Sequence, residues 1–98
     1  MDEVHFAAEL WCASAQDAWR FVAVPSDFTT QIRLSAGPPT AFGSVKVEAS
    51  IGATRWRTSV FPDAARGCYL LPVKRTVREA ENLDDGDLVT VSLRVLDV

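Results

Sequence analysis

Polar and apolar residues alternate along two neighbouring runs in the middle of the chain, and the two runs meet at Gly52-Ala53. A two-residue loop that begins with glycine is typical of a type II′ β-hairpin, because its first position needs a positive φ. The alternation predicts three cross-strand pairs on an apolar face, namely Ala49–Trp56, Val47–Thr58 and Val45–Val60. It predicts three pairs on a wetter face, namely Ser50–Arg55, Glu48–Arg57 and Lys46–Ser59. A slip by one residue would exchange the two faces, so we expect this register over residues 45–61.

The same period of two predicts strands elsewhere in the chain, at residues 4–11, 18–24, 68–71 and 87–96. The first two of these are separated only by a connection of small residues, so we expect them to form an antiparallel pair. In residues 18–24 one face carries Trp19, Phe21 and Ala23, and we expect Trp19 to lie in the core together with Trp56. Trp11 is left open between core and surface.

Two short stretches show a helical period instead. Phe28, Ile32 and Ala36 share one stripe, and Ser26 after Pro25 is a good N-cap for that first helix. A second helix is predicted after residue 72, with a buried side that consists of Val73, Val77 and Ala80.

These elements follow one another in the order β-β-α-β-β-β-α-β. Six strands are too many for one flat layer in 98 residues, and closing the sheet removes its exposed edges. We therefore predict a mainly β fold with two short helices, a small closed or partly open β-barrel that takes up residues 1–98 as a single domain.

Four segments of the chain resemble a known family: W-R-F-V-A-V-P (residues 19–25), W-R-T-S-V-F-P (56–62), Y-L-L-P-V-K-R-T-V-R (69–78) and D-D-G-D-L-V-T-V-S-L (84–93). Together they are similar to a small prokaryotic β-barrel family that is catalogued as a domain of unknown function and sometimes precedes a bacteriocin-protection or OmpD-associated segment. The resemblance implies a barrel with two helices and no established activity, so it transfers no functional residues. We expect any activity of a following segment to be absent from this sequence.

Composition and the N-terminal sequence indicate which compartment and which bound groups to expect. No apolar run approaches the length of about 20 residues that a membrane span needs, and the acidic N-terminus lacks the pattern of a signal peptide. We therefore expect a cytoplasmic protein without membrane association, whose Cys12 and Cys68 are reduced. A single histidine and the absence of C-x-x-C give no spacing for metal ligands, so neither a metal nor a cofactor is predicted.

Charge is distributed unevenly along the chain. Residues 44–78 hold seven basic side chains and two acidic ones, whereas the remainder holds three basic and eleven acidic, for a net charge of −3. The overall acidity argues against nucleic acid as the main partner, because non-specific attraction to phosphate needs a positive field.

The candidate ligand site lies in the basic region. Lys74, Arg75 and Arg78 stand at the start of the second predicted helix, where the helix dipole adds to their attraction for an anion, and Arg57 or Arg66 is expected to join them. The alternative is an ordinary solvated surface in which Arg57 pairs with Glu48 and Arg75 pairs with Glu79.

The function that we expect is a non-enzymatic binding or accessory module, monomeric or homodimeric, for a small anionic ligand or a protein partner. No catalytic residue is predicted, since the chain has no G-x-S-x-G elbow and no glycine-rich phosphate loop. One alternative is a small enzyme that uses Arg57 or Lys74 to stabilise negative charge and needs a general base beside them. Another is a DNA-binding regulator, because G-D-L-V-T-V resembles the closing strand of swapped-hairpin transcription factors.

Overall fold

The computed structural model describes residues 3–12, 19–35 and 43–96. In these ranges the chain forms a mainly β structure with two short helices, in the order that the sequence predicts. The strands are β1 (Val4–Glu9), β2 (Phe21–Ala23), β3 (Val45–Ile51), β4 (Thr54–Asp63), β5 (Cys68–Pro72) and β6 (Leu88–Val95). A 3₁₀ turn (Ser26–Phe28) leads into helix α1 (Thr29–Ser35), and helix α2 (Arg75–Ala80) lies between β5 and β6.

The six strands form one antiparallel sheet in the order β1-β6-β3-β4-β5-β2. The two outermost strands approach each other where Trp11 and Phe21 form a bridge, with N–H···O distances of 3.0 and 2.9 Å in the two directions. The sheet therefore curves into a nearly closed barrel, which leaves little unpaired edge exposed. This confirms the predicted fold class.

The hairpin between β3 and β4 has the predicted register at every position from Val45–Val60 to Ile51–Thr54. Gly52 has a φ of 58°, whereas Ala53 does not have a positive φ, which matches a type II′ turn. A side chain at position 52 would also meet the carboxylate of Glu81, which follows α2. The turn is thus packed against the end of the second helix.

The interior is filled by the alternate residues of the strands. The inward side chains of β6 (Val89, Val91, Leu93 and Val95) are all buried, as the sequence predicts. Ile32 of α1 and Val77 of α2 are buried as well, so the two helices cover the interior of the barrel with one apolar residue each. No polar or charged residue in the described ranges is buried.

The expected pairing of the first two strands is wrong. β1 pairs with β6, and β2 pairs with β5, so only the Trp11–Phe21 bridge joins β1 and β2. Sequence proximity favours a hairpin, but each strand obtains a longer ladder from a strand far away in the chain. The first two strands thereby become the two edges at which the barrel closes.

Details of the helices also differ from prediction. Ser26 is not an N-cap, because it lies inside the 3₁₀ turn and no side-chain hydrogen bond caps that turn. Ala80 is exposed at the end of α2, and Ala36 lies outside the described residues. No helix in the described ranges is long and apolar enough to cross a membrane.

Candidate functional site

The candidate site arises where the sheet opens between β4 and β5. These two strands pair only over Phe61–Asp63 and Cys68–Leu70, and the chain leaves the sheet after Pro72 to begin α2. The first part of β4 pairs with β3 on one edge, and on its other edge it faces the start of α2 instead of β5. A cavity of about 380 Å³ lies in this gap.

The apolar wall of the cavity comes from three directions. Trp56 is a buried residue of β4, while Pro72 and Val73 form the link from β5 to α2. Trp19, just before β2, completes the wall. It is brought there because the N–H of Val73 donates a hydrogen bond of 2.9 Å to the carbonyl oxygen of Arg20.

The two tryptophans in this wall have different environments. Trp56 lies in the core as predicted, with 8% of its surface exposed. The prediction for Trp19 is wrong, because 59% of its surface is exposed and its ring stacks on Phe21 at a centroid distance of 6.2 Å and an angle of 13°. The alternating pattern of this strand is correct, but Val22 and Val24 occupy its inner face.

All four cationic residues predicted from the sequence line this one cavity. Arg57 contributes from β4, Lys74 directly precedes α2, and Arg75 and Arg78 contribute from the first and the last turn of α2. α2 has only six residues, so the side-chain charges rather than the helix dipole dominate the local field.

The cations differ in how they are held. Nε of Arg75 lies 2.8 Å from Oε1 of Glu79, and Nε of Arg78 donates to the carbonyl oxygen of Val73 at 3.2 Å. Lys74 forms no ion pair within the part of the chain that the structure describes. The position of the Arg78 side chain is thereby fixed by the backbone, whereas Lys74 remains available for an anion.

Arg57 has a shared partner. Its Nε lies 4.0 Å from Oε2 of Glu48, and the same carboxylate lies 3.8 Å from Arg55 and 3.4 Å from Arg94. The ion pairs of the solvated-surface alternative, Arg57–Glu48 and Arg75–Glu79, are thus both present. One carboxylate among three guanidinium groups nevertheless leaves this side of the sheet positive, and exposed pairs of this kind are weak.

Arg20 also lines the cavity, although it is not among the predicted site residues. Its Nε donates to Oδ1 of Asp85 at 2.6 Å, and its Nη1 donates to Sγ of Cys12 at 3.1 Å. This position depends on the pairing of β2 with β5, which joins segments far apart in the chain. No local sequence pattern reveals it.

Arg66 does not join the cluster. Its Nη1 donates to Oδ2 of Asp63 at 2.6 Å, and its guanidinium lies 4.5 Å from the centre of the Trp11 ring. The hydrogen bond from Arg66 is the main reason why the pKa of Asp63 lies below its ordinary value. Trp11 is half-buried and packs on Phe21 at 5.4 Å, and it is not one of the residues that line the cavity.

The described residues around the cavity include five cations, no carboxylate and no histidine. His5, the only histidine, lies on β1, and its Nδ1 is hydrogen-bonded to Oγ of Ser92 on β6 at 2.8 Å. No group of three or more potential metal ligands occurs in the ranges described. Both cysteines lie outside this lining and neither is in a disulfide; Cys12 is half-buried and Cys68 is buried. The arrangement can attract and orient an anion that also has an apolar part.

Comparison with protein families gives a match to a family described as a domain of unknown function, DUF1905. Its model matches residues 6–93, which include every residue that lines the cavity. The match confirms the resemblance to a barrel family of unknown function. The comparison with curated proteins finds no match.

Proposed function

The chain belongs to the DUF1905 family of unknown function, and we propose that its barrel is a non-enzymatic binding module that holds a small organic anion in the cavity between β4 and α2. The ligand that fits is a carboxylate or phosphate with an apolar body. The main observation in support is the charge of the cavity lining. It has five basic residues and no acidic one among the residues described, although the chain has a net charge of −3.

The shape and lining of the cavity support a small ligand. Its volume of about 380 Å³ lies within the range of sites that take small molecules. Trp56 and Val73 offer apolar surface at its base, and Lys74 and Arg57 lie across from each other on the two sides of the gap. An apolar body would displace water from the indole ring while the anionic group meets the cations.

The residues around the cavity favour binding without catalysis. The small-enzyme alternative needs a general base within hydrogen-bond reach of Arg57 or Lys74. The described lining offers only the hydroxyl of Thr58 besides the cations, and His5 lies in another part of the barrel. We also propose a cytoplasmic setting, where Cys12 and Cys68 would remain reduced.

Amide-resolved NMR tests the proposal with two defined probes, benzoate and phenyl phosphate, at moderate ionic strength. The expected result is saturable shifts at Arg57, Val73, Lys74 and Arg78 with at least one probe. The variant Lys74→Ala should bind the probes more weakly in the same titration, while the amide signals of the barrel interior stay unchanged. Shifts scattered over the whole surface, or no shifts with either probe, would contradict a binding site in this cavity.

A further inference from the structure

A groove of about 700 Å³ continues the cavity along the outer side of β4. Four residues line both depressions, and the groove adds Lys46, Ser59, Phe61 and Leu96. Trp19 and Arg57 are among the shared residues. The cavity and the groove are therefore adjacent, and a ligand bound in the cavity would reach the groove at these shared residues.

Two exposed aromatic rings lie along this path. Only four large hydrophobic side chains are exposed in the described ranges, and the two aromatic ones, Trp19 and Phe61, both line the groove. Trp19 is 59% exposed and Phe61 is 43% exposed. Trp19 is also held in place by stacking on Phe21, so its ring loses little freedom when a ligand packs on it. Exposed and fixed aromatic rings are the usual platforms for planar ligand groups.

Positive charge accompanies the two rings. Arg57 lines both depressions, Lys46 lies in the groove, and Lys74 lies in the cavity. No acidic residue lines either depression in the part of the chain that the structure describes. The cavity and the groove together thus offer two exposed rings and a cationic region, in which Arg57 borders both depressions.

We propose that the cavity and the groove form one site for a dinucleotide, that is, two nucleosides joined through phosphate. One base stacks on Trp19, the other packs on Phe61, and the phosphate that joins them is held by Arg57, whose guanidinium matches phosphate oxygens. This inference rests on the proposed function and names its ligand class.

The length of the ligand is limited by the rest of the protein. The net charge of −3 repels a long polyanion, whereas the local cations act on the few phosphates that reach them. We therefore expect affinity to stop rising once two nucleotides are present.

Calorimetric titration with adenine ligands tests the proposal, because the base stays constant while the length and the linkage change. The ligands are adenosine monophosphate, adenylyl-adenosine with one phosphodiester, and diadenosine pyrophosphate. We expect at least one of the two dinucleotides to bind about tenfold more tightly than the monophosphate, as the stacking of a second base implies. If diadenosine pyrophosphate binds more tightly than adenylyl-adenosine, a free dinucleotide is the source of the ligand. If adenylyl-adenosine binds more tightly, the source is the end of an RNA strand.

Three variants locate the effect, and all replace exposed side chains, so the core is preserved. Phe61→Ala should remove the advantage of the dinucleotide and leave the affinity for the monophosphate unchanged. Trp19→Ala should weaken all three ligands by about fivefold or more. Leu88→Ala is the control, because Leu88 is an exposed apolar residue outside both depressions and its loss should change nothing.

The outcomes separate this inference from the proposed function. Equal affinities for monophosphate and dinucleotides, or a dinucleotide affinity that Phe61→Ala leaves intact, would overturn the two-ring site while a binding cavity remains. Binding of phenyl phosphate or benzoate without binding of any adenine ligand would overturn the nucleotide class alone. If none of these ligands binds, both the dinucleotide site and the proposed function are overturned. If triadenylate, titrated as a fourth ligand, binds more tightly than either dinucleotide, the limit to a dinucleotide is overturned.

Discussion

The hydroxyl of Thr54 donates a hydrogen bond of 2.6 Å to the Oε2 atom of Glu81. Thr54 begins β4 directly after the hairpin turn, and Glu81 follows the last residue of α2. The bond therefore ties the hairpin to the helix that carries Arg75 and Arg78. It helps to keep the two sides of the cavity, β4 and α2, in a fixed relation.

Replacing Thr54 by valine should destabilise the barrel. The change keeps the β-branched shape but removes a half-buried hydrogen bond to a charged group, at a cost of about 1 to 2 kcal/mol. Urea denaturation monitored by tryptophan fluorescence measures it. The matched control is Thr90→Val on β6, which is exposed and should alter the free energy of unfolding by about 0.5 kcal/mol or less. Equal losses in the two variants would show that the Thr54–Glu81 bond contributes nothing.

Gly52→Ala should cost more than Gly86→Ala. Both glycines have a positive φ, 58° and 90°, so alanine is strained at either position by about 1 kcal/mol or more. Only at position 52 does the new methyl group meet Glu81, while position 86 is open. Displacing that carboxylate breaks its bond to Thr54, which adds about 1 kcal/mol to the cost at position 52.

The double variant Gly52→Ala/Thr54→Val provides the check on this explanation. Because both changes remove the same hydrogen bond, the double variant should lose less free energy of unfolding than the sum of the losses in the two single variants. Strict additivity in urea denaturation would mean that Glu81 is not displaced by the methyl group.

Asp63 should make stability depend on acid pH. Its carboxylate accepts hydrogen bonds from Nη1 and N of Arg66 and from N of Ala65, and the first of these chiefly lowers the pKa of Asp63 below 3.8. Because its pKa is lowered in the folded state, the ionised carboxylate stabilises the fold at pH values above the ordinary pKa of aspartate. This stabilisation is lost as the pH falls through the lower folded-state pKa. Asp63→Asn should therefore be less stable than the wild type at neutral pH, and the gap should narrow below pH 3.8 in thermal denaturation series. A gap independent of pH would contradict this role.

The two thiols should react at different rates. Burial raises the pKa of Cys68, with a further contribution from the charge of Asp63, so little reactive thiolate forms at neutral pH. Cys12 is more accessible and should be alkylated by iodoacetamide first, as peptide mass spectrometry can show. In a denaturing concentration of urea the rates should become similar. Faster labelling of Cys68 in the folded protein would contradict its burial.

The parts of the fold that the sequence predicts correctly are local. The β3–β4 register follows from neighbouring residues alone, because a slip would place Trp56 and Val47 in water. Three of the four predicted cations are close together in the chain, and Arg57 lies across the gap between β4 and α2 from them.

The parts that the sequence does not reveal depend on distant pairing. Alternation shows that Trp19 and Val22 face opposite ways, but both faces of that strand are apolar, so the pattern does not say which one is inside. The assignment of Arg20 to the cavity requires the pairing of β2 with β5. Such contacts are set by closure of the barrel rather than by the local sequence.

We propose that the cations around the cavity bind an anion because of where they lie, not merely because they are positive. Arg55 and Arg57 allow a matched test, since both project from β4, both are mostly exposed (71% and 77%), and both approach Glu48. Only Arg57 lines the cavity. Calorimetric titration of phenyl phosphate should show that Arg57→Ala weakens binding by about fivefold and Arg55→Ala by less than about twofold. Equal weakening by the two variants would mean that the protein attracts anions only through its general surface charge, and the claim of a specific site would be wrong.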